Sequence, residues 1–174
     1  MEIGRTLRET PDPVVGWRAW TVTETADGLR LASVLYDVLW EPNSPAIAEC
    51  RHGQEMPVHP VPGTACTCGL YATRDPVDAL SFLVGRDEPA TICRILGEVA
   101  LWGHVLETES GWRGSHAYPV RLYVPEGSIA EGLGAYGVTV SSATCGGSPS
   151  SRTSTAMRSP SGRRSPISRR TIQT

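Results

Sequence analysis

Residues 41–65, EPNSPAIAECRHGQEMPVHPVPGTA, carry five prolines and neither a helical nor an alternating apolar period. Proline fixes φ and removes a backbone donor, so this stretch cannot form a helix interior or a central strand. A connection this long inside a compact domain is either functional or held by something other than regular pairing. The candidate holdfast lies within and just after it: Cys50 and His59, then Cys66 and Cys68 in HPVPGTACTCGLYA.

Three thiolates and one imidazole suit a tetrahedral zinc ion, which takes soft sulfur and borderline nitrogen donors. CTCGLYAT reads as extended chain, which would place Cys66 and Cys68 on one side of a strand. His52 competes with His59 as fourth ligand. His59 is preferred, because His52 follows Cys50 by only two residues. Four protein ligands would close the site and make it structural. Three would reopen it to catalysis, with Glu49 or Glu55 as base. Reduced cysteines without metal, or redox and thiol chemistry, are the competing readings.

The 174 residues suit one domain, expected over residues 14–142. There is no Lys; 16 Arg face 18 acids, a net charge of −2. Six of those Arg and no acid fall in residues 144–174, leaving 10 Arg against 18 acids before them, a body near −8 and a tail near +6. An acidic body argues against duplex binding by the domain itself. The Ser, Arg and Pro composition predicts a disordered tail over residues 143–174. That tail is a nucleic-acid contact, an inert solvated segment, or the product of a shifted reading frame. The start, MEIGRTLRETPDP, has no apolar signal core, and no apolar run reaches spanning length. A cytoplasmic protein is expected, with no membrane partner. There an odd count of five cysteines points to metal or catalysis over disulfides.

The expected fold class is α+β: a mostly antiparallel sheet or small β-barrel with two short helices. VVGWRAWTVTE and LRLASVLYDVLW read as a hairpin turned at ADG, with the chain frayed before about Pro13. RDPVDALSFLVG reads as a helix capped by Asp75, opened by Pro76 and stopped by Gly85, with Val77, Leu80 and Val84 on one face. ATICRILGEVALWGHVLETE reads as one or two strands kinked near Gly97. SHAYPVRLYVPE reads as another, with Val120, Leu122 and Val124 on one face. GSIAEGLGAYG reads as a helix with a Ser128/Glu131 capping box and a stop at Gly137.

Trp20, Trp40 and Trp102 read as core, and Trp112 as a turn cap. Trp17 and Trp20 face opposite sides of their strand. GWRAW and GWRGSHAYP each pair Trp with Arg, so Trp17, Arg18, Trp112 and Arg113 are the candidate ligand surface, for a small ligand or a protein partner. Cys93, in TICRIL, reads as core, and its pairing with His104 or His116 as a catalytic couple is the weaker alternative. Cys145 falls in the tail.

On these stretches the chain resembles a family of small uncharacterised bacterial proteins. The shared elements are GWRAW, the later LW, Cys50, His59, CTCGLYA, GEVALWGHV and GWRGSHAYPVRLYV, covering residues 14 to 140. The family keeps a C…H…C-x-C-G arrangement. The resemblance implies one domain with a metal knot and a tail outside the family pattern. It implies no defined activity, substrate or cofactor. The expected function is a zinc-stabilised binding or regulatory module without catalysis. The alternatives are a metal- or thiol-dependent enzyme and a nucleic-acid-associated protein acting through the tail.

Overall fold

The computed structural model describes residues 7–36, 38–52, 58–85, 89–125 and 127–142, with side chains from residue 12 onward. Its elements run β1 (Leu7–Thr25), β2 (Gly28–Ser33), β3 (Leu39–Trp40), β4 (Ala46–Ile47), β5 (Leu70–Thr73), α1 (Pro76–Leu80), β6 (Thr91–Thr108), β7 (Gly111–Val124), α2 (Ser128–Gly132) and β8 (Thr139–Ser142). Short 3-10 turns follow each helix, at Ser81–Leu83 and Leu133–Tyr136. The expected tail and Cys145 lie outside the described residues.

The strands form one mixed eight-stranded sheet. β1 pairs antiparallel with β2 across the predicted hairpin and with β6 along its length. β6 pairs antiparallel with β7. The other edge of β7 carries β5, β4 and β8 in succession. β5 also meets β1 at Trp17↔Thr73, so it bridges β1 and β7, the two strands that flank β6. Among the described residues, only β7 and β8 run parallel. The mostly antiparallel sheet that was expected is observed, with that parallel pair added.

Several local expectations change. The chain is strand from Leu7, not frayed to Pro13, because residues 7–10 pair with Gly103–Leu106. The register slips between Thr10 and Val14, across two prolines that cannot donate to a ladder. Gly97 does not break β6, which stays one strand; the irregularity lies beside it, where Glu98 and Val99 oppose Arg121 and Pro119. That slip makes Val120 the bulged residue. It is exposed, while Leu122 and Val124 are fully buried.

Asp75 caps α1 as predicted, its carboxylate accepting from the Val77 amide at 2.8 Å. The helix is shorter than predicted, and its apolar stripe is not its buried face. Val77 is 66% exposed and Leu80 and Val84 are exposed too, while Ala79 alone is buried. The cap of α2 is Gly127, so the predicted Ser128/Glu131 box does not form, although Gly137 does end the following turn in the left-handed region.

The core is built mainly from alternate residues of the long strands, among them Trp20, Val22, Val99, Leu101, Leu122 and Val124. Trp20 and Trp40 meet edge to face at 5.5 Å among Leu101, Leu122 and Leu133. Tyr136 is anchored there by two hydrogen bonds. Its hydroxyl accepts from the Leu31 amide at 2.8 Å and donates to the Trp40 carbonyl. Trp102 lies outside this core, half-buried and stacked on His116. Cys93 is half-buried against the core. It sits eleven positions from His104 on the same strand, roughly 35 Å away by strand rise, so the two cannot form a catalytic couple.

Candidate metal centre and the adjoining cavity

The proline-rich connection is tied to β7 at both ends. Ala46 and Ile47 pair with Ala117 and His116, and the Ala48 amide donates to the Ser115 carbonyl at 2.8 Å. On the return, Leu70 pairs with Gly114. The chain thus leaves and rejoins the sheet at neighbouring residues, which brings Cys50 beside Cys66 and Cys68. The two later cysteines lie in the turn before β5 and not in a strand. Their sulfurs converge through that turn, with the Cys68 amide 3.4 Å from the Cys66 sulfur.

Cys50, His59, Cys66 and Cys68 place one donor atom each within 4.8 Å of one another. The four can hold a metal ion. Tetrahedral zinc, with bonds of about 2.3 Å to sulfur and 2.0–2.1 Å to nitrogen, implies edges of about 3.8 Å between sulfurs and 3.5 Å from sulfur to nitrogen. Cys50 Sγ lies 3.7 Å from Cys66 Sγ and 3.4 Å from His59 Nε2.

The His59 ring is oriented by its other nitrogen. Nδ1 lies 2.8 Å from the Pro60 carbonyl oxygen, which can only accept, so Nδ1 carries the proton and Nε2 keeps a lone pair toward the sulfurs. That hydrogen bond raises the His59 pKa. Gly63 lets the ring fit, since a Cβ there would come within 2.7 Å of it. His52 sits outside the mutual set. Its Nδ1 lies 3.3 Å from Cys66 Sγ and 3.7 Å from Cys50 Sγ, while Nε2 meets the Thr67 hydroxyl at 3.4 Å. Glu49 is exposed, and Glu55 lies outside the described residues.

Cys66 and Cys68 are 6% and 7% exposed. Burial pushes the Cys66 thiol up, but hydrogen bonds from the Cys68 backbone and from the Cys68, Cys50 and His59 side chains outweigh it and bring it down to about 6. Burial dominates at Cys68 and raises it.

Arg113 lies beneath this turn and is 3% exposed. Its guanidinium donates to the carbonyls of Cys66, Cys68 (2.9 Å) and Gly63 (3.3 Å), and packs over the Tyr71 ring. The sequence places it on a ligand surface beside Trp112; instead it is covered by the cysteine turn on the side of β7 that carries its partner Tyr71, while Trp112 packs half-buried against the core. No family model, no curated protein and no solved structure matches this chain.

The other three expected surface residues, Trp17, Arg18 and Trp112, line a cavity of about 1100 Å³ that adjoins the cysteine turn. His52, Thr67 and Cys68 form part of its wall. Trp17 stacks on Tyr123 at 5.7 Å, and Arg74, paired with Glu107, lies 4.4 Å over Trp112. The exposed side chains of Tyr71, Val77 and Phe82 also line it, so Val77 of the α1 stripe faces the cavity. Their role was not apparent from sequence, where Val77 and its neighbours look like core.

Proposed function

We propose that the protein is a non-catalytic binding module whose ligand cavity is shaped by a zinc-held loop. Cys50, His59, Cys66 and Cys68 are the ligands, and His52 is an outer donor to the sulfurs. The donor set supports zinc: three thiolates and an imidazole are the soft and borderline donors it favours. Three thiolates around a divalent ion leave one net negative charge, and the buried guanidinium of Arg113 supplies the opposite one. Four protein ligands leave no position for a substrate or water on the metal. The ion's part would be to stabilise the fold. Thiols at all four described cysteines fit a reducing compartment such as the cytoplasm.

The observation that carries this reading is shared use of one segment. Cys68 is a candidate ligand and also lines the cavity. Metal binding therefore sets the position of a cavity wall. Hydrogen exchange on the full chain, zinc-loaded and chelated, tests this. Protection across residues 58–72 should fall on chelation while β1 and β6 stay protected. Equal protection in both states would contradict it.

A further inference from the structure

Arg18 lines the cavity with a half-buried charge that has no ion-pair partner among the described residues; Arg51, the other arginine of the lining, is exposed to water. Its guanidinium is pressed between aromatic faces, 5.0 Å from the Trp40 ring and 6.0 Å from the Trp20 ring. Nη1 donates to the Tyr71 carbonyl at 2.6 Å and Nη2 to the Ser33 hydroxyl at 3.1 Å. Both acceptors are neutral. Among the described residues the ion pairs are Arg30–Glu41, Arg74–Glu107 and Arg121–Glu98; no carboxylate pairs with Arg18. Burial without a compensating acid pulls its pKa down to about 10, which still leaves it charged at neutral pH. The acids that reach the same cavity, Glu49 and Asp78, are exposed, so water screens them.

Arg18 is half-buried as a residue, and a charge withdrawn from water in this way is ordinarily paired. Each terminal nitrogen of Arg18 carries two N–H groups and uses one, leaving one on each for an acceptor of matching fork geometry. The same cavity is lined by the rings of Trp17, Tyr71 and Trp112. We propose that the cavity takes a small planar organic anion, its apolar body against these rings and its acid group on Arg18. This rests on the reading that the cavity binds a ligand.

Two fluorescent probes of nearly the same body separate the two claims: anilinonaphthalene sulfonate, which is anionic, and phenylnaphthylamine, which is neutral. Titrated into the zinc-loaded full chain, the anion should bind about tenfold more tightly, the scale of one charge-assisted hydrogen bond. Arg18→Gln should abolish that preference and leave the neutral probe unchanged. If circular dichroism shows that Arg18→Gln has lost its strands, Arg18→Lys is read instead. Lys keeps the charge but not the fork, and severalfold loss of preference is expected. Binding of both probes without preference, or a preference that survives these substitutions, overturns the anion proposal alone. Binding of neither probe defeats the ligand-cavity reading beneath it.

Discussion

Replacing Arg113 with Met removes a buried charge but keeps most of the side-chain volume. Three carbonyls, of Gly63, Cys66 and Cys68, then lose their donor. A hydrogen bond from a charged donor contributes about 1.5–3 kcal/mol, so three would sum to roughly 5–9 kcal/mol if independent. They share one guanidinium and are not independent. About 3–5 kcal/mol, below that sum, is the expected destabilisation. Two of the three carbonyls belong to candidate ligands, so the loss should fall on the metal as well. Outer partners of metal ligands typically contribute about 10- to 100-fold in affinity. Competition with a chromophoric chelator would measure zinc affinity, and urea unfolding with and without zinc would measure stability. Arg113→Lys should fall between, since an ammonium cannot reach three carbonyls in a fork. If Arg113→Met binds zinc within twofold of wild type, the guanidinium does not set the ligand turn and the account of that turn is wrong.

Three other outcomes follow from the same geometry. His59→Ala should weaken zinc binding by well over the roughly tenfold expected at most for His52→Ala, and the reverse order would move the fourth ligand to His52. Gly63→Ala should weaken zinc binding by displacing the His59 ring, because its Cβ would meet that ring at 2.7 Å; unchanged affinity would show that the ring is free to move. Burial, the largest influence, holds the Tyr136 phenol above its ordinary value near 10. The unfolded phenol therefore ionises first, and stability should fall as pH rises through about 10. Tyr136→Phe should flatten that alkaline slope in urea midpoints measured from pH 8 to 11.

What could be read from the sequence was local or chemical. The hairpin at Asp27-Gly28 and the Asp75 cap depend on neighbours in the chain, and both formed. The cysteine cluster was legible because donor type restricts what can bind, even though the strand argument for Cys66 and Cys68 was wrong. Pairing between distant segments was less legible. β8 is four residues long and parallel to β7, with no turn to announce it. The phase change at Val120 comes from a bulge against β6, which alternation within β7 cannot show. Val77 looked like core because an apolar stripe on a helix usually is; here it lines a cavity. Arg113 looked like a surface partner of Trp112 because adjacent strand residues seem associated in sequence but face opposite ways in space.

The proposed zinc site is closed, with three sulfurs and one nitrogen from Cys50, Cys66, Cys68 and His59. Metal content of the purified full chain, followed by X-ray absorption at the zinc edge, tests it most directly. One zinc per chain is predicted, with three sulfurs at about 2.3 Å and one nitrogen at 2.0–2.1 Å. Absence of stoichiometric zinc, or a first shell containing water oxygen in place of a protein ligand, would contradict it.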